Sequence, residues 1–158
     1  MKNSKKSMRR FYKLMLSGFG TGWLPLAPGT WGAAAAALLV WPLTIWTPGL
    51  LNLELSGLII AFLWIGVLGS DQMTAEWGED PSQTVIDEMV GMWIALLGLP
   101  MLWPWWLAAF LLFRFFDIFK PLGIRSLEKI GRGWGVMLDD VLAGVYANVV
   151  LQVALLQF

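Results

Sequence analysis

The 158 residues are 58% hydrophobic and 14% charged, with eleven Trp and a mean hydropathy of +0.66, a balance expected of a chain that lives in a bilayer rather than of a soluble domain. There is no Cys and no His, which excludes disulfides, thiolate and histidine nucleophiles, and metal sites built on those ligands. The formal net charge is zero, so any chemistry falls to carboxylates, hydroxyls, Lys and Arg, in a length that suits one domain.

Residues 1–17 form a basic head. Lys2, Lys5, Lys6, Arg9, Arg10 and Lys13 all precede the first acid, Glu54, and such an excess of cations holds a segment in the cytoplasm. Gly18, Gly20, Gly22, Pro25 and Pro28 interrupt the apolar sequence that follows, so an uncleaved start is expected rather than a signal peptide.

Four apolar stretches come next, residues 31–47, 55–70, 89–113 and 141–158. The first, second and fourth lie near the lower limit of roughly 17 residues for a helix that crosses a bilayer. The third carries Gly98, Pro100 and Pro104 in its middle. Proline lacks the N–H and clashes with the preceding turn, so a helical hairpin bent there is expected instead of one straight helix. On antiparallel arms rising about 1.5 Å per residue, Asp87 and Asp117 then return to similar heights. A turn containing Pro48, Gly49 and Asn52 does the same for Thr30 and Asp71, and the last span, beginning just after Asp139 and Asp140, adds that pair. The predicted fold is all-α: a polytopic membrane helical bundle with a broken-helix hairpin and a carboxylate site at the cytoplasmic membrane border.

Ten of the eleven carboxylates fall between Asp71 and Asp140, and six of them, from Asp71 through Glu88, come without one base. Like charges repel, and a divalent cation relieves the repulsion. Oxygen ligands without His or Cys favour Mg2+ over Zn2+. Solvated helix ends account for clustered acids equally well, and that plainer account is kept for Glu54, Glu79 and Glu128. Asp80-Pro81-Ser82-Gln83 reads as a helix start with Asp80 as N-cap, Pro at N1 and Gln at N3.

Taken in chain order, the segments Gly18-Phe19-Gly20-Thr21-Gly22, Ala27-Pro28-Gly29-Thr30-Trp31-Gly32 and Val85-Ile86-Asp87-Glu88-Met89-Val90-Gly91-Met92-Trp93 are followed by Arg114-Phe115-Phe116-Asp117-Ile118-Phe119-Lys120-Pro121 and by Gly133-Trp134-Gly135-Val136-Met137-Leu138-Asp139-Asp140-Val141-Leu142-Ala143-Gly144. This set resembles the phosphatidylglycerophosphatase A family from about Gly18 to Gly144. The resemblance implies a Mg2+-dependent phosphatase of the bacterial inner membrane. Such an enzyme removes the terminal phosphate of phosphatidylglycerophosphate and leaves phosphatidylglycerol, with the bilayer and the lipid substrate as its partners and no nucleic acid. Two departures stand out. Leu122-Gly123 follows Lys-Pro where the family often has a second proline, and Gln72 stands where it often has Lys, so positive charge must come from Lys120 or Arg114.

With Cys and His absent and no Asp-x-Asp pair in the chain, attack by metal-activated water is the leading option among the common phosphatase routes, with water or a side chain as nucleophile left open. The expected ligands are Asp71, Asp87, Glu88, Asp139 and Asp140. Neighbours on a helix diverge by about 100°, so one of Asp87 and Glu88 is expected to ligate while the other orients water or acts as base. Asp117 and Lys120 sit three apart on one helix face before Pro121. Lys120 holding phosphate, with Asp117 orienting either Lys120 or metal-bound water, is preferred over a simple intrahelical ion pair. Arg114 either shares that face and binds phosphate or snorkels to headgroups. Gly29 and Thr30, at a helix start after Pro28, offer N–H groups and dipole to phosphate, with N-capping by Thr30 an equal alternative.

The glycines of residues 18–22 lack the strand and βαβ unit of a dinucleotide loop, and the alanine run 33–37 reads as a packing face. The alternative to an enzyme is a small non-enzymatic cation transporter. It would want acids near the midplane and at both faces, whereas only Glu54 is expected at the far side.

Overall fold

The computed structural model describes residues 2–78 and 81–157, and every regular element among them is helical. In chain order these are α1 (Lys2–Leu16), a 3-10 segment (Gly18–Trp23), α2 (Pro28–Val40), α3 (Leu43–Trp46), a short 3-10 turn (Pro48–Leu50), α4 (Leu51–Trp77), α5 (Ile86–Leu96), α6 (Trp103–Phe119), α7 (Ile124–Leu127), a second short 3-10 turn (Glu128–Ile130) and α8 (Arg132–Leu155). Three stretches are long and apolar enough to cross a membrane: Pro28–Trp46, Pro48–Trp77 and Gly133–Leu155.

The helices outrun the apolar stretches that announce them. α4 continues past Ser70 to Trp77 and stops only at Gly78, whose φ of 96° ends the ladder, so Asp71 lies within a helix rather than at its border. α8 starts at Arg132, so Asp139 and Asp140 lie inside it rather than before it. Charge bounds the greasy part of a helix, not the helix itself. The start expected at Asp80 is displaced as well. Asp80 lies outside the described residues, and Pro81 opens a turn closed by Thr84 N–H on Pro81 O at 2.8 Å, with the helix beginning only at Ile86.

α5 is the centre of the bundle. All its residues except Glu88 and Ile94 are buried, under α2, α4, α6 and α8. An eleven-residue helix is too short to span a bilayer, but one apolar on every side belongs in a core. Trp93 shows how its polar handle is met: the indole N–H donates to Ala36 O at 2.9 Å, and the ring stands edge-on to Phe62 at 4.8 Å.

α5 and α8 run parallel, and their backbones approach closely because two glycines meet. A Cβ on Gly144 would sit 2.3 Å from Gly91 O, and one on Gly91 would sit 2.7 Å from Asp140 O. Small residues four apart on such a row let helices touch in an apolar medium. One turn further, the Asn148 amide donates to Ala95 O at 3.2 Å, again 53 residues away in sequence, as Gly144 is from Gly91 and Asp140 from Asp87.

Residues 97–102 separate α5 from α6. Gly98 takes φ 69°, Pro100 follows, and Pro104 falls in the first turn of α6, where a missing N–H costs nothing. The backbone groups of this connection need partners wherever they are shielded from water. Side-chain amides supply them here: Asn148 and Gln152 donate to Leu97 O at 2.7 and 2.9 Å, and Asn52 accepts the Gly98 N–H at 2.9 Å.

Candidate active site

α6 runs back alongside α5 in the opposite sense, which brings Glu88, on the first turn of α5, within 4.0 Å of Arg114 near the end of α6. The start of α2 and the middle of α8 close the other sides of a cavity of about 390 Å3. Asp87, Glu88, Asp117, Asp139, Asp140, Arg114 and Lys120 all line it, with Gly29 and the turn residues Ser82 and Thr84. Asp140 is 2% exposed, Asp139 6%, and Asp87 and Asp117 9% each. Five carboxylates withdrawn from water against two cations are tolerable only with further compensation, since an isolated buried charge is very costly.

The geometry shows where that compensation fits. One carboxylate oxygen from each of Asp87, Glu88 and Asp140 lies within 4.8 Å of the other two. Asp87 and Glu88, neighbours on α5, each bring one oxygen within that distance, and Asp140 reaches them from α8. Among the described residues, Glu88 Oε2, Asp139 Oδ1 and Asp140 Oδ1 are buried with no hydrogen-bond partner. The three converging carboxylates offer hard oxygen donors with no nitrogen or sulfur among them, and Glu88 and Asp140 each keep a buried oxygen without a partner among the described residues, a set that suits Mg2+ or a similar divalent ion.

The cations are held from the side. Arg114 pairs with Asp117 one turn on, and Arg114 Nε is buried without a partner among the described residues. Lys120 is not on the helical face it was expected to share with Asp117. It caps α6 in a left-handed conformation, φ 46°, just before Pro121, and its ammonium reaches Asp139 Oδ2 on α8 at 2.6 Å. A non-glycine residue held there carries backbone strain of about 1–3 kcal/mol, a cost that collects at functional sites.

At the start of α2, Gly29 is fixed by what stands opposite. A Cβ there would lie 2.0 Å from Glu88 Oε1 and 3.1 Å from Arg114 Nη1. Thr30 is one residue further into the helix and does not line the cavity. Its position is N3 rather than N-cap, which falls to Ala27.

Asp71 stands apart. It is exposed, lies outside the cavity, and its Oδ1 accepts the Gly133 N–H at 2.8 Å. That bond caps α8 from another helix, since Gly131 supplies no side-chain cap of its own. Ser82 and Thr84, by contrast, were hidden in a segment read as a helix start. Their hydroxyls immediately before Val85-Ile86-Asp87-Glu88 were the only signal.

Comparison with known proteins places the chain in a family. A family model described as Phosphatidylglycerophosphatase A matches residues 14–155. A protein of Haemophilus influenzae named phosphatidylglycerophosphatase A is 42% identical over 147 residues, covering 87% of this chain and 85% of that protein. The protein of that name from Escherichia coli is 36% identical over 152 residues, covering 94% and 86%. A Bacteroides thetaiotaomicron protein with the provisional name phosphatidylinositol-3-phosphatase is 46% identical over 153 residues, covering 89% and 91%. No solved structure matches. With the match running across nearly every element that builds the cavity, the chain belongs to the phosphatidylglycerophosphatase A family of phosphoric monoester hydrolases.

Proposed function

We propose that this protein hydrolyses the terminal phosphomonoester of phosphatidylglycerophosphate to phosphatidylglycerol and inorganic phosphate, using Mg2+, at the cytoplasmic face of a bacterial inner membrane. The observation that carries the reading is the cavity itself, where three converging carboxylates face two anchored cations at the end of an apolar bundle. Acids gathered at one end, and family membership, speak against a transport path.

Asp87, Glu88 and Asp140 would hold the ion. When bound, it would polarise the phosphoryl oxygens and offset their charge, the largest demand in hydrolysing a phosphomonoester. Arg114 and Lys120 grip the phosphate, each kept in place by its own carboxylate, Asp117 or Asp139. Gly29 leaves room for a phosphate oxygen beside Glu88 and Arg114. An acid of the cavity that does not hold the ion accepts the proton of the attacking water. Gln72 is exposed and near Tyr12, 3.4 Å from its hydroxyl, which supports assigning the phosphate charge to Arg114 and Lys120.

Phosphate release from phosphatidylglycerophosphate by the purified protein tests this. Activity is expected with Mg2+, absent after chelation, restored by Mg2+ and poorly supported by Ca2+, whose looser coordination positions an in-line attack badly. Activity that survives exhaustive metal removal would exclude the mechanism. A parallel reaction on phosphatidylinositol 3-phosphate decides between the two substrate names carried by relatives.

The cytoplasmic placement rests on the basic α1, whose Lys5, Lys6, Arg9 and Arg10 are exposed. Single cysteines at Gln72→Cys, Leu122→Cys and Lys129→Cys should react with an impermeant thiol reagent only from the cytoplasmic side, and Leu53→Cys only from outside. Labelling of position 122 from outside would refute the arrangement.

A further inference from the structure

A second cavity, of about 330 Å3, opens between α2 and α6 on the outer surface of the bundle. Ala34, Ala37 and Leu38 of α2 face Trp103, Leu107 and Phe110 of α6. Trp41 and Trp106 also line it and meet edge-on at 5.0 Å. The opposite face of α2, through Ala33, Ala36 and Val40, is packed into the core, so the groove is not a gap that repacking of α2 would fill.

The helices that wall this groove also carry one side of the acid cavity, where Gly29 at the start of α2 lies beside Arg114 near the end of α6. They run in opposite senses from that point. At about 1.5 Å per residue, α2 carries the groove from about 7 Å (Ala34) to about 18 Å (Trp41) beyond Gly29, and α6 carries it from about 6 Å (Phe110) to about 16 Å (Trp103) beyond Arg114. Two walls thus give the same depth: an apolar trough that begins one short step from the phosphate-binding cations and leads away from them along the apolar helices. A phospholipid has that layout, with a polar phosphate joined through glycerol to a hydrocarbon chain.

We propose that the groove between α2 and α6 binds an acyl chain of the lipid substrate while its phosphate is held at Gly29, Arg114 and Lys120, an inference that rests on the lipid phosphatase reading above. Chain binding there converts apolar contact remote from the reaction into positioning of the phosphate. Ala34 and Ala37 keep the trough open.

Ala34→Phe and Ala37→Phe each place a ring in the trough without touching the acid cavity. Rates are measured on phosphatidylglycerophosphate with long chains in mixed micelles and on a short-chain, water-soluble form. The ratio of kcat/KM for long over short chains should fall at least about tenfold in both variants, with the short-chain value within a few-fold of the parent. An unchanged ratio would overturn the proposal.

A second measurement needs no substitution. A non-hydrolysable lipid phosphomonoester with a photoreactive group in mid-chain is compared with phosphatidylcholine carrying the same chain, in vesicles, and crosslinks are mapped by peptide mass spectrometry. Labelling at residues 34–41 and 103–110 should favour the phosphomonoester and fall when short-chain substrate is added. Equal labelling by phosphatidylcholine, or labelling indifferent to the competitor, would mean ordinary bilayer lipid and sink the idea. Unaltered protein that hydrolyses neither chain length would instead refute the phosphatase reading itself.

Discussion

Two places where α8 meets another helix hold a carboxylate, and they do different things with it. At the junction of α4 and α8, Asp71 is exposed and accepts the Gly133 N–H, completing the first turn of α8. At the junction of α5 and α8, Asp140 is buried among Asp87, Glu88, Asp117 and Asp139, with Oδ1 unpartnered among the described residues. One charge is satisfied by the backbone and open to water. The other is withdrawn from water and keeps an oxygen without a partner among the described residues. The contrast teaches that closeness to a helix end does not by itself bring an acid into the cavity; what separates the two is burial among other carboxylates.

The comparison breaks first at the acid cavity. Asp140→Asn and Asp87→Asn should each lower kcat by at least about a hundredfold in the folded protein, because a lost ligand removes several kcal/mol of transition-state stabilisation. Near-normal rates in both purified variants would end the assignment. The next effect tests how the cavity is assembled. In Gly144→Ala the new Cβ meets Gly91 O, so α5 and α8 must part, at about 1–3 kcal/mol by thermal unfolding. Activity should drop about tenfold as Asp140 moves from Asp87 and Glu88, in line with the sensitivity of catalysis to small displacements. The smallest effect belongs to the other junction. Asp71→Ala should cost about 1 kcal/mol of stability, as lost caps do, and leave kcat within a few-fold. A hundredfold loss of kcat in that variant, at unchanged stability, would erase the distinction between the two places.

Much of this was readable before any coordinates. The absence of Cys and His confined chemistry to oxygen ligands, and Pro100 with Gly98 marked the interruption that divides α5 from α6. What sequence could not place was Asp71. Hydropathy ends at Ser70, but α4 does not, and the helical turns beyond that border carry Asp71 to Gly133 instead of to the cavity. Lys120 was misplaced on a helical face for a related reason. Its left-handed backbone depends on Pro121 stopping α6 and on Asp139 drawing the ammonium across, a tertiary effect that local spacing does not record. The groove between α2 and α6 was invisible too, since alanines that keep a space open look the same in sequence as alanines that fill one.

The parallel pair α5 and α8 works as a gauge with three marks: acid on acid, glycine on glycine, and amide on the last carbonyls before the break. Because every mark shares one offset, the two helices are locked in length as well as in position. A residue inserted in α8 between Asp140 and Asn148 would turn everything beyond it by about 100° and advance it by about 1.5 Å, so the acids and the amide could no longer both meet their counterparts. Variation in chain length is therefore excluded from these two segments and confined to the connections outside them. An insertion that restores one mark must forfeit another, either the chemistry at one end of α5 or the satisfied backbone at the other.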